Sequence, residues 1–211
     1  MLMPNLNRGN FLPMAARRKD SLTSLLGYWA QYCVLDDSHR EWLHTFATAI
    51  TVKRGKRLFE PGDKGDYVYF VCDGLLATVW WDENGNRRID RLLPPTHSVL
   101  TKGNLYASHQ VYYEVVALRP GTIIRIPADA LKAYKEACTE ADTLVDVMEQ
   151  KKLKQYRAKN RLMLIKDERE RYAEFVRDEY MKPLRLVTSQ QEQADYLNIS
   201  RVTITRVNRN I

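Results

Sequence analysis

Cysteine is scarce in this 211-residue chain: Cys33, Cys72 and Cys138 stand far apart, odd in number and at no metal or redox spacing. That argues against a disulfide framework and reads as thiols in a reducing compartment. Histidine is almost as rare. Of His39, His44, His97 and His109 only the first two lie close together, and their spacing is no ligand signature, so no metal site is expected. No apolar run approaches the length of a membrane span, and residues 1–20 lack the apolar core of a signal peptide, so the expectation is a cytoplasmic protein without membrane partners. No Ser/His/Asp set, paired catalytic carboxylates or phosphate loop occurs at meaningful spacing. An enzyme is therefore not expected, and no cofactor is identified.

The last absence is the most informative. Residues 198–211 hold no acid, but they do hold Arg201, Arg206 and Arg209. The formal net charge of +7 is concentrated at the same end: residues 1–150 carry 18 Lys/Arg and 18 Asp/Glu, whereas 151–211 carry 15 and 8. One end is built to face phosphates and the other does something else.

What is present there is a pair of short helices. Ser189 is a good N-cap, and Glu192 three positions on completes a capping box. Ala194 is small enough for a second helix to cross closely. Asn198 suits the left-handed conformation that ends a helix, and Ser200 caps the next. In that second helix Ile204, Val207 and Ile211 share one face, to be buried against the first helix. Arg201, Val202, Thr205 and Arg206 then point outward, as on a helix that enters the major groove. The DNA-facing candidates are Ser189, Gln191, Ser200, Arg201, Val202, Thr203, Thr205, Arg206 and Arg209. An ordinary amphipathic hairpin would share the caps and the apolar stripe. The missing acid and the arginines favour DNA.

Upstream, Leu22 to about Ile50 has helical spacing. From Val52 to Pro127 the segments are short, rich in Val, Tyr, Trp and Ile, and cut by glycines. Asn84-Gly85 marks a hairpin with a type I′ turn. Many short strands with regular turns mean a compact antiparallel barrel or roll. Asp129 is expected to cap a helix from Ala130 to Ala137. A longer helix follows from about Glu140 to Ile165. Asp167, with Glu170 as capping partner, opens another that Pro183 breaks. The long helix carries Leu144, Val147, Met148, Leu153, Tyr156, Leu162, Met163 and Ile165, which fit either a coiled-coil dimer or packing against the roll.

This order of parts resembles the Crp/Fnr family of bacterial transcription factors, shortened at the C-terminus as in its Bacteroidetes-type members. The resemblance rests on Gly55-Lys56-Arg57-Leu58-Phe59-Glu60-Pro61-Gly62-Asp63-Lys64-Gly65-Asp66 through Gly74, and on the ending Ile199-Ser200-Arg201-Val202-Thr203-Ile204-Thr205-Arg206. It implies an α+β chain in four parts. Residues 1–21 are a flexible N-terminal tail. Residues 22–138 form a sensor domain, a double-stranded β-helix (jelly roll) of the cyclic-nucleotide-binding type. Residues 139–165 form a dimerisation helix, and 166–211 a helix-turn-helix domain, winged-helix-like but with no room for strands after the recognition helix. It implies a homodimer on a two-fold operator in double-stranded DNA, with RNA polymerase as a further partner.

The same resemblance locates a departure. Where nucleotide-binding members hold the cyclic phosphate with an arginine and the ribose with a glutamate, this chain places Val111 and Lys102. Valine offers a phosphate no charge-assisted hydrogen bond, so cyclic AMP is not expected to bind in that manner. An unidentified small-molecule effector remains possible at Lys102, Asn104, Tyr106, His109 and Tyr112. Cys33 stands alone, against an iron–sulfur cluster. Val202 replaces a common glutamate of the recognition helix, so the operator should differ. The alternative function is a ligand-binding or scaffold module whose C-terminal helices dock on a protein partner.

Overall fold

A computed structural model describes residues 14–209. Residues 1–13 of the expected tail, and Ile211, lie outside that range. The first helix, α1 (Met14–Trp29), begins within the stretch expected as tail, and α2 (Asp37–Phe46) follows it. Asp36 caps α2 by accepting from the amides of Ser38 and His39.

Eight strands come next: β1 (Thr48–Val52), β2 (Arg57–Phe59), β3 (Tyr67–Val71), β4 (Leu75–Trp81), β5 (Arg87–Leu93), β6 (Ser98–Leu100), β7 (Glu114–Arg119) and β8 (Gly121–Pro127). They pair antiparallel in two four-stranded sheets, ordered β1-β8-β3-β6 and β2-β7-β4-β5. This is the roll the turn spacing predicts. The β4–β5 hairpin falls where Asn84-Gly85 places it, but the turn is not type I′. Only Gly85 has positive φ (73°), and the loop is held by the Asp82 carboxylate, which accepts from the amides of Asn84 and Asn86. An Asp side chain that closes the loop itself removes the need for a second left-handed residue.

Helices continue with α3 (Ala128–Ala137), α4 (Thr139–Met163), α5 (Glu168–Arg177), α6 (Lys182–Val187), α7 (Gln190–Leu197) and α8 (Arg201–Asn208). Two expectations need correction. Asp129 lies inside the first turn of α3, and Pro127 occupies its cap position with no side-chain cap bond. Pro183 does not end a helix: it sits in the first turn of α6, where a missing amide costs nothing. Asp167 does cap α5, accepting from the amides of Arg169 and Glu170.

Three apolar clusters layer the molecule. Val52, Phe59, Tyr69, Val71, Leu76, Leu93, Val115 and Ile123 fill the roll. Leu25, Trp29 and Leu43 of the first two helices cover one outer face with Phe70, Ile124, Ile126 and Leu144. On the other face Leu75, Ala77, Val79, Ile89 and Leu92 pack against Leu162, Tyr172, Phe175, Ala194, Tyr196 and Ile204. Strand β4 is thus buried on both sides, with Leu76 inward and its neighbours Leu75 and Ala77 outward. The α4 helix runs along β5. Gln155 Nε2 donates to the Leu92 carbonyl at 2.7 Å, Tyr156 to Asp90 at 2.7 Å, and Lys159 Nζ to the carbonyls of Ile89 and Asp90 at 2.8 and 2.9 Å. Most apolar residues of α4 face inward, so packing against the roll accounts for Leu144, Met148, Leu162, Met163 and Ile165. Leu153 is the exposed one of the eight.

Candidate nucleic-acid interface and sensor cavity

The helix pair forms as its residues dictate. Ser189 Oγ accepts from the Glu192 amide, and the Ser189 amide donates to Glu192 Oε2 at 2.7 Å, closing the capping box. Asn198 ends α7 in the left-handed region (φ 55°), and Ser200 Oγ accepts from the Thr203 amide at 3.0 Å. Ile204 is buried and Val207 partly so, against α5 and α7.

Arg201, Val202, Arg206 and Arg209 are exposed on the opposite side, and none of these arginines has an ion pair among the described residues. Other candidates are engaged. Thr203 Oγ1 donates to Glu168 Oε2 at 2.7 Å, which ties it to α5 rather than leaving it to solvent. Thr205 is half-buried and its hydroxyl donates to the Arg201 carbonyl at 3.2 Å. Gln191 is exposed, its amide donating to Asp195 at 2.7 Å. Ser200 is exposed at the turn.

Helix α7 rests on the roll. Arg119, at the end of β7, donates from both terminal nitrogens to the two oxygens of Glu192, each at 2.7 Å. Arg54 lies 3.8 Å from the same carboxylate, and Arg87 lies 4.0 Å from Asp195. Burial alone would push Glu192 up, but Arg119 and the Ser189 amide outweigh it and hold the carboxyl below its ordinary value. The hairpin tip, Gly85 to Arg88, forms a cleft with Gln191, Asn198, Ser200 and Arg201. Sequence reasoning missed Arg87 and Arg88 as neighbours of α8. Two successive arginines directly after the turn were the available signal.

The effector candidates do not converge. Lys102 pairs with Asp66 at 3.1 Å and Asp129 at 3.5 Å. Asn104 caps its own loop by accepting from the Tyr106 amide at 2.8 Å. Tyr106 and His109 are exposed, the former under Lys132 Nζ, and Tyr112 borders a surface cleft beside Tyr156 and Lys159. Their neighbours turn inward instead. Leu105 and Tyr113 line a cavity of about 30 Å³ with Val68, Arg91, Ser98 and Met148, room for no more than about two waters. The segment from 103 to 113 is a run of bends and turns with no regular period, so spacing could not say which of its side chains turn inward. Arg91 is the residue that sequence reasoning overlooked. It is 2% exposed, donates from Nη2 to the Ser98 carbonyl at 3.3 Å, and its Nε has no partner.

Residues 49–138 match the family model described as "Cyclic nucleotide-binding domain". No curated protein matches the chain. Among solved structures, FixK2 from Bradyrhizobium japonicum is similar at 18% identity and a TM-score of 0.65, with 78% of this chain and 83% of that one covered. The c-di-GMP responsive global regulator CLP from Xanthomonas campestris is 17% identical at a TM-score of 0.65, covering 83% of this chain and 91% of that one. A putative transcriptional regulator of the Crp/Fnr family from Eubacterium rectale is 16% identical, with 83% of each chain covered and a TM-score of 0.65. No described helix is long and apolar enough to cross a membrane. The chain carries a cyclic-nucleotide-binding-type domain and is built on the fold of Crp/Fnr-type regulators.

Proposed function

We propose that the protein is a homodimeric transcription regulator of the Crp/Fnr type that reads a two-fold operator through α8. The observation that carries this is the outward face of α8, where Arg201, Val202, Arg206 and Arg209 stand exposed and no carboxylate among the described residues pairs with the arginines. Arg206 donates a bidentate pair to a guanine, Val202 meets a thymine methyl, and Arg201 and Arg209 hold phosphates. Arg87 and Arg88 of the hairpin border the same cleft, but their charges are met by Asp195 and Asp82. One eight-residue helix buries too little for useful affinity, so two copies related by a dimer axis are needed. The exposed Leu153 and Leu164 of the α4 region are available to that axis. The effector of the roll is unidentified; the space beside Arg91 under α4 holds no more than about two waters, so a small molecule would need the roll and α4 to part there, and cyclic AMP held by a cassette arginine is not that effector.

Fluorescence anisotropy on an operator selected from random duplexes tests this reading across a salt series. Arg206→Ala is expected to cost about 1–3 kcal/mol and relax one base pair, while Arg209→Ala lowers the salt slope by about one. An Arg206→Ala protein that binds like the parent, or a parent with no salt-dependent binding at all, refutes the assignment.

A further inference from the structure

The side chain of His39 meets those of Cys138 and Glu140, about a hundred positions on in the chain, beside the start of α4. His39 Nε2 lies 3.6 Å from Cys138 Sγ and 3.9 Å from Glu140 Oε2, and Cys138 Sγ lies 3.3 Å from Glu140 Oε2. A tetrahedral zinc centre with bonds of about 2.0–2.3 Å separates its ligand atoms by about 3.3–3.6 Å. The observed triangle therefore has nearly the right size without rearrangement.

The protonation pattern also favours a cation. Asp36 Oδ1 sits 2.7 Å from His39 Nδ1, closer than the Asp36 amide at 3.1 Å. In the tautomer that donates from Nδ1 to this carboxylate, the Nε2 lone pair faces Cys138 and Glu140, while the Asp36 amide gives up Nδ1 as its acceptor. A carboxylate behind a ligating histidine fixes the tautomer and the ring in many metal sites. The imidazole itself is buried, while Glu140 remains partly open to solvent, so there is both a rigid wall and a way in.

We propose that His39, Cys138 and Glu140 form a site for one zinc-like divalent cation, with water in the fourth position and Asp36 orienting the imidazole. One nitrogen, one thiolate and one carboxylate suit a borderline-soft ion rather than magnesium or calcium. Binding breaks the Cys138 S–H bond and releases that proton to solvent as the Zn–S bond forms. The ion would pin α2 to the junction of α3 and α4, where Trp29 Nε1 already donates to the Glu140 carbonyl at 2.7 Å.

The test uses the full chain stripped of metal. Zinc is titrated in competition with a chromophoric chelator, and cobalt serves as a spectroscopic stand-in. The expected result is one equivalent per chain, a tetrahedral cobalt spectrum and a thiolate-to-metal band. Cys138→Ser, nearly the same size, should abolish that band and weaken zinc by at least about 100-fold, and Asp36→Asn should weaken it about 10-fold. Cys72→Ser, whose thiol donates to the Ser21 carbonyl elsewhere, should change neither. Circular dichroism of each variant shows that it is folded. No binding by the parent, equal zinc affinity in folded Cys138→Ser, or an octahedral cobalt spectrum without the thiolate band overturns the proposal.

Discussion

Replacing Arg119 with methionine keeps most of the side chain's volume and removes its charge, which isolates the contact between the roll and α7. Truncating one partner of a buried ion pair costs about 3–5 kcal/mol, because the other charge is left unpaired. The Glu192 side chain is only 5% exposed, so it belongs to that class. Arg119 itself is 30% exposed, however, and Glu192 keeps the Ser189 amide and the more distant Arg54. These reduce the expected loss to about 2–3 kcal/mol. Glu192→Gln alone should cost a comparable amount, and the double variant little more than either. A double-mutant cycle by urea unfolding should give a coupling of about 1–3 kcal/mol. Hydrogen exchange should accelerate in α7 while the amides of β3 and β8 keep their protection. Because the folded carboxyl lies below its ordinary value, the contribution is complete above about pH 4.3 and disappears as pH falls through the lowered value. A coupling under about 0.5 kcal/mol with unchanged exchange in α7 would show that the apolar contact alone holds the helix pair.

Other outcomes follow from the same coordinates. A methyl at Gly121 would lie 2.2 Å from the Asp73 carbonyl oxygen, a backbone atom that cannot swing away, so Gly121→Ala should lower stability by more than about 3 kcal/mol or abolish soluble expression. Gly85→Ala meets nothing within 4 Å and pays only for its φ of +73°, about 1 kcal/mol by thermal melt. Burial, with the charges of Lys151 and Arg91, pushes His97 down to about 4 against the opposing Pro95 carbonyl. A depressed histidine stabilises the fold above its ordinary value of about 6.5 and loses that as pH falls towards 4. His97→Gln should therefore flatten the loss between those values, at most about 2 kcal/mol given partial solvent access. An NMR titration placing His97 near 6.5 would rule this out.

The helix pair was legible because every signal in it is local. Ser189, Glu192, Asn198 and Ser200 act on backbone within four residues, and each makes the contact its type dictates. The roll was legible as a class for a similar reason, since turn residues punctuate it. The cavity was not, because the residues that line it come from β3, β5, β6, α3 and α4, and an irregular loop from 103 to 113 turns Tyr113 in and Tyr112 out. Nor could spacing reveal His39 beside Cys138, 99 positions away. Strand β4 is apolar at every position but Thr78, which reflects cover on both faces, and the second cover is the C-terminal helices.

That second cover also governs how the molecule comes apart. Leu75, Ala77 and Val79 of the strands share one interior with Phe175, Tyr196 and Ile204 of the helices, and Leu162 of α4 seals its margin. A fragment ending before α5 would bare a greasy sheet to water, and the excised helices would lose their floor. Heating should accordingly produce a single calorimetric peak, with the roll and the C-terminal helices melting as one body.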